Sequence, residues 1–99
     1  MYRGTTPTIV LTVKGLSEIE ISKIYLTIKQ YDKVIEKTLP DMQIDGDTLQ
    51  TTLTQQETLG LEQGKVKLQL RVLSKSKTAY ATKTLEVTVD DILKDGEIK

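Results

Sequence analysis

Along most of the chain, apolar and polar residues alternate with the two-residue period of half-buried strands. The first run follows Pro7, where Ile9, Leu11 and Val13 alternate with Thr8, Val10, Thr12 and Lys14 until Gly15. The second spans Lys23 to Tyr31, with Ile24, Leu26, Ile28 and Gln30 on one face and Tyr25, Thr27, Lys29 and Tyr31 on the other. Asp32-Lys33 then reads as a short turn into a strand over Val34 to Leu39, stopped by Pro40 and Asp41. Met42 and Ile44 form a short segment before Asp45-Gly46, a strong hairpin dipeptide. Beyond it, Leu49, Thr51 and Leu53 alternate with Thr48, Gln50 and Thr52. The most regular strand comes later, with Val66, Leu68, Leu70 and Val72 inward and Lys65, Lys67, Gln69 and Arg71 outward. After a polar turn at Ser74 to Lys77, a long last strand is expected to set Ala79, Ala81, Leu85, Val87 and Val89 on one face. Thr78, Tyr80, Thr82, Thr84, Glu86 and Thr88 take the other face, and Lys83 marks a bulge or a strand end.

A single helical signal interrupts this pattern. Thr54-Gln55-Gln56-Glu57 has the spacing of a capping box, in which a hydroxyl and a carboxylate each satisfy an amide of the first turn. Gly60 and Gly64 follow so soon that only one helical turn fits. The predicted fold is therefore all-β: an antiparallel immunoglobulin-like sandwich of about seven strands, with a one-turn helix near Thr54–Leu59. No repeat or linker divides it, so residues 1–99 are expected to form one domain.

Composition strengthens this reading and narrows the chemistry. Ile, Val and Thr are abundant, Ala occurs twice, and β-branched side chains favour pleated strands. Cys and His are absent, which removes disulfides, thiolate metal sites, the cysteine nucleophile and the commonest general base. The 14 basic residues balance the 14 acidic ones, so net charge recruits neither nucleic acid nor an anionic membrane. The first residues carry no apolar h-region, and no apolar run reaches a membrane-spanning length.

Carboxylates are the remaining candidates for catalysis, in the clusters Asp41, Asp45, Asp47 and Asp90, Asp91, Asp95, Glu97. Glycosidase sites grip sugars on aromatic platforms, and this chain offers four Tyr with no Trp or Phe. Asp45-Gly46-Asp47 resembles a fragment of a calcium loop but lacks the later carboxylates, and turn formation accounts for it without metal. The sequence thus predicts a non-enzymatic protein with no cofactor and no metal site.

Charge is unevenly placed, which points to surfaces. Lys65, Lys67, Arg71, Lys75, Lys77 and Lys83 occur without an intervening acid, and acids dominate from Glu86 to Glu97. If the Lys65–Val72 strand neighbours the Tyr25 strand, one outer face collects Tyr25, Lys29, Tyr31, Lys67 and Arg71, residue types suited to a protein interface. Outward Thr48, Thr52, Thr84 and Thr88 leave little to stop a neighbouring sheet from pairing. The arm Met1–Thr6 and the tail residues Ile92, Leu93 and Ile98 look least needed by a sandwich core and are candidates for docking on another chain. The acidic tail beside the basic hairpin would also suit head-to-tail packing of copies into a homo-oligomer.

Three segments carry a resemblance: Met1-Tyr2-Arg3-Gly4-Thr5-Thr6-Pro7-Thr8, Ile24-Tyr25-Leu26-Thr27-Ile28-Lys29-Gln30 and Leu53-Thr54-Gln55-Gln56-Glu57-Thr58-Leu59. As a set they resemble a family of short prophage proteins of Gram-positive bacteria, over nearly the whole chain to Asp91-Ile92-Leu93-Lys94-Asp95-Gly96. More loosely, the pattern is similar to the β-sandwich N-terminal domain of phage baseplate upper proteins. The resemblance implies a structural or accessory protein of the tail or baseplate region, with other phage structural proteins as partners; synthesis is expected in the host cytoplasm, with the virion as one of its destinations. It brings no catalytic residue with it. A carbohydrate- or receptor-binding module of a host-attachment apparatus is the alternative, weakened by the missing Trp.

Overall fold

The computed structural model describes residues 1–99, and its longest strands are the two whose alternation is cleanest. Strands β1 (Thr8–Thr12), β2 (Ile21–Gln30), β3 (Lys33–Thr38), β4 (Met42–Asp45) and β5 (Thr48–Thr52) precede the one-turn helix α1 (Gln55–Leu59). Strands β6 (Gly64–Ser74), β7 (Ala79–Ala81) and β8 (Leu85–Val89) follow it. One sheet has the order β1-β5-β4, and the other runs β3-β2-β6 with β7 and β8 both paired to the far side of β6. All named pairings are antiparallel. This is the B-E-D and C′-C-F-G arrangement of an immunoglobulin-like sandwich. Ahead of β1, the arm Met1–Arg3 runs beside the end of β8, where Tyr2 pairs parallel with Asp90.

Alternation on β2 and β6 builds the centre of the core. Ile24, Leu26 and Ile28 lie opposite Val72, Leu70 and Leu68 across the ladder, and all six are buried. Leu49 and Leu53 meet them from the β5 segment, joined by Leu16, Leu61, Val66 and Val89 and flanked by Ile9, Leu11, Met42 and Ile44. Gln30 shares the inner face without leaving a polar atom stranded. Its Nε2 donates to Glu62 O at 2.8 Å and its Oε1 accepts from Glu62 N at 2.7 Å, so the side chain acts as an extra rung holding the loop before β6.

Helix α1 is capped as its sequence predicts, and the cap reaches further than expected. Thr54 Oγ1 accepts from Glu57 N, and Glu57 Oε1 accepts from Thr54 N at 2.9 Å. The same carboxylate oxygen takes Lys37 Nζ at 2.8 Å, which ties the helical turn to edge strand β3. Burial of Glu57 works against its charge, but the bonds from Lys37 and Thr54 outweigh it and hold the carboxyl below its usual range.

Two sequence expectations need correction. The hairpin turn between β4 and β5 centres on Gly46-Asp47, because Asp45 already pairs with Thr48, and Gly46 takes the positive φ of 60° at the first central position. The supposed single last strand is two strands, making eight in all. Between the pairs Arg71↔Ala81 and Leu68↔Leu85, two residues of β6 face three residues, Thr82 to Thr84. That is a one-residue bulge at the site Lys83 marked. Thr82 stitches it to β6: its amide donates to Leu70 O at 2.9 Å, and its hydroxyl accepts from Leu70 N at 3.1 Å. A one-residue slip reverses the faces of a strand. Leu85 and Val87 therefore lie opposite inward Leu68 and Val66, whereas Ala79 and Ala81 lie opposite Leu73 and Arg71 on the outer face. The expected shared face of Ala79, Ala81 and Leu85 to Val89 does not exist.

If the extra residue sets the faces of β8, deleting Lys83 should cost far more than truncating it. Urea denaturation is expected to show a change of no more than about 0.5 kcal/mol for Lys83→Ala, whose side chain is exposed, and a loss above about 3 kcal/mol for the deletion. Equal effects would remove the bulge from that role.

Candidate functional site

The outer face of the larger sheet is built on β2 and β6. The register sets Tyr25 opposite Arg71, Thr27 opposite Gln69 and Lys29 opposite Lys67, with Lys23 opposite Leu73 at one end. Directly opposed residues of an antiparallel pair bring their Cβ atoms to about 5 Å. Four of the five residues singled out from the sequence, Tyr25, Lys29, Lys67 and Arg71, thus share one face. Tyr31 lies just beyond it, in the two-residue loop between β2 and β3, 75 % exposed and with a left-handed φ of 55°. Strand β3 extends the rows with Thr38, Glu36 and Val34, and β8 adds Glu86 beside Lys67.

The face carries more cations than anions. Lys23, Lys29, Lys65, Lys67 and Arg71 stand against Glu36 and Glu86. One exposed pair, Lys65 to Glu86 at 3.5 Å, joins the two sets and contributes little in solvent. Lys29, Lys67, Lys23 and Arg71 have no ion-pair partner, and Lys29 and Lys67 face each other directly. Like charges so placed destabilise a ladder. An open cleft of about 550 Å³ runs over this spot, between Thr27, Lys29, Tyr31, Lys65, Lys67 and Gln69. A smaller hollow of about 200 Å³ lies beside Tyr25 and Arg71, bounded by Lys23, Leu73 and Ala79. The outward residues of β7, Ala79 and Ala81, are small and leave it open.

Of the carboxylates singled out in the sequence, Asp41, Asp47 and Asp91 are occupied with holding turns. Asp47 Oδ1 accepts from Ser17 N at 2.8 Å and its Oδ2 from Gly15 N at 3.3 Å, bonds that keep its carboxyl below the usual range. Asp41 is lowered by the Thr38 amide, which donates to its Oδ2 at 3.0 Å. Asp91 is lowered first by the Ile92 amide and then by Arg3. The calcium-like fragment therefore has its second carboxylate committed to a 3-10 turn at Leu16–Glu18.

Arg3 is the residue that sequence reasoning missed. Its Nε donates to Leu61 O at 2.7 Å and its Nη2 to Leu59 O at 3.0 Å, while Nη1 meets Asp91 Oδ1 at 2.8 Å and Nη2 meets Asp95 Oδ1 at 3.4 Å. The bond with Asp91 leads in raising its guanidinium above the ordinary value. A lone Arg in a short arm has no periodic signal, so nothing in the sequence pointed to this role. Its consequence for the termini is direct. Met1 packs against the core, and Ile92 is half-buried against Gly4 and Leu59, so the arm and the first tail residues dock on their own chain. Leu93 and Ile98 stay exposed, the backbone of Ile98 being held by Gln55. With Asp91 and Asp95 engaged by Arg3, the acidic tail is partly neutralised within the chain.

Two outcomes follow from this network. Carboxyls held below their ordinary values stabilise the fold fully above those values, and that stability is lost as pH falls through the lowered ones. Circular dichroism should show stability constant from neutrality to about pH 5 and falling below about pH 4, with a shallower acid slope in Asp47→Asn and Asp91→Asn. An unchanged slope would contradict the assignment. Arg3→Ala strands two carbonyls and is expected to lower stability by roughly 1.5–3 kcal/mol and to speed trypsin cleavage at Lys94, read by urea titration and mass spectrometry. Comparison with protein-family models, with curated proteins and with solved structures finds no match, so the outer face has to be interpreted from its own chemistry.

Proposed function

We propose that this chain is a non-enzymatic structural or assembly protein that works through protein–protein contacts, and that the outer face of β2 and β6 is its main contact surface. The observation that carries the reading is the pair Lys29 and Lys67, opposed across the two central strands with Lys65 close by, three cations against the single carboxylate of Glu86, which lies opposite Lys67 and pairs with Lys65. A fold that keeps like charges face to face gains from a partner that supplies carboxylates there. Tyr25, Arg71 and Tyr31 add the residue types enriched where proteins meet. The whole chain is neutral, which favours an acidic protein surface over nucleic acid. No helix is long and apolar enough to cross a membrane.

The resemblance of the three sequence segments to short prophage proteins extends the proposal to a setting. In it the partners are other phage structural proteins of the tail or baseplate, the chain is made in the host cytoplasm, and it ends in the virion. A carbohydrate- or receptor-binding role is the second reading, supported by the exposed rings of Tyr25 on the basic face and of Tyr31 just beyond it.

The test is affinity capture from induced lysogens of a Gram-positive host, with wild-type protein and a Lys29→Glu, Lys67→Glu double variant run in parallel. The expected outcome is a phage structural protein retained by the wild type and lost, at least about tenfold, with the variant. Equal retention, or no virion protein, would reject the proposal. Binding of labelled protein to a glycan array, abolished by Tyr25→Ala, would instead favour the second reading.

A further inference from the structure

Four strand edges border the two sheets, and three of them are blunted. Edge strand β3 carries Lys33, Glu36 and Lys37. Strand β4 has four residues, and the Met42 amide already donates to Leu39 O. The β7–β8 edge is bulged at Thr82–Thr84 and closed at its end by the arm, through Met1 N to Thr88 O, Asp90 N to Met1 O and Arg3 N to Asp90 O. Strand β1 has none of these protections. It reads Thr-Ile-Val-Leu-Thr, uncharged throughout, with Thr8, Val10 and Thr12 exposed.

The hydrogen bonding of β1 shows which groups are free. Pro7 O accepts from Leu53 N and Val13 N donates to Asp47 O, so the odd-numbered residues bond to β5. The amides and carbonyls of Thr8, Val10 and Thr12 therefore point off the sheet, and no bond in the chain uses them. They mark the place a first strand would fill in a complete immunoglobulin-like sheet, which the Met1–Arg3 arm leaves open by pairing with β8 instead.

We infer that this edge pairs with β1 of a second copy, antiparallel and centred on Val10. The pattern of the strand carries the choice of occupant, because it reads alike from both ends about Val10. Under a two-fold axis, Thr8 of one copy opposes Thr12 of the other, and Val10 opposes Val10. All three free amides and all three free carbonyls find partners, and no charge opposes a charge. Thr–Thr and Val–Val are favourable cross-strand pairs. The outer face beside the seam is equally uncharged: Thr52 shares a hydroxyl bond with Thr8, and Gln50 bonds Gln43. Joining the edges makes one six-stranded sheet of order β4-β5-β1-β1-β5-β4 and leaves both basic faces open. The inference is independent of the basic face and its partner.

The test is sedimentation equilibrium from about 10 μM to about 1 mM, the range in which a small interface associates. A dimer is expected for the wild type. Val10→Lys and Val10→Glu should each weaken it at least about tenfold by setting like charges opposite each other, and an equimolar mixture should restore a one-to-one dimer. Both side chains lie on solvent, so the monomer fold is expected to survive, as circular dichroism will report. Hydrogen exchange of the wild type should show Thr8, Val10 and Thr12 amides becoming protected only as concentration rises. A monomer at about 1 mM, or a dimer that neither variant disturbs, would overturn the inference.

Discussion

The antiparallel ladder between β2 and β6 is the constraint on which the rest of the structure depends. Its register alone places Ile24, Leu26, Ile28, Leu68, Leu70 and Val72 inward as one layer and Tyr25, Lys29, Lys67 and Arg71 outward as another. Shifting it by one residue would exchange core and surface on both strands at once. The small sheet, the helical turn and the loops then act as a cover for the inner layer. Gln30 and Glu57 fasten that cover with bonds that imitate backbone pairing, so polar atoms enter the interior without being orphaned.

Much of this was legible in the sequence because strands with one buried face write their period directly into the chain. The alternation at Ile24 to Gln30 and at Val66 to Val72 located both central strands and their faces, and Thr54 to Glu57 located the helix. Where the period breaks, reading fails for a physical reason. A bulge preserves apolar content while rotating it, so Ala79 and Ala81 looked like continuations of the Leu85 face. Leu16 and Leu61 fill the core from turns and have no neighbours in phase with them. The outward Thr48 and Thr52 belong to the central strand of the small sheet, and the open edge lies on β1 instead. Arg3 acts through four partners from distant parts of the chain, a relation no local pattern encodes.

The two faces of the sandwich divide surface chemistry sharply. The larger sheet presents cations and tyrosines, whereas the smaller presents threonine and glutamine with hardly any charge. A charged face discriminates among partners and steers their approach, and an uncharged edge with free amides accepts any extended backbone of matching shape. The two proposed contacts therefore draw on different residues of one molecule.

The pairing of Met1–Arg3 alongside Thr88–Asp90 has a mechanical consequence. Because the two segments run parallel, traction between the start of the chain and the end of β8 draws them in opposite directions along their common length. The bonds Met1 N to Thr88 O, Asp90 N to Met1 O and Arg3 N to Asp90 O are then loaded together, in shear, where a hairpin would release its bonds one by one. Arg3 reinforces the same patch through Asp91. A domain clasped in this way resists stretching through its rate of rupture, a property separate from its equilibrium stability.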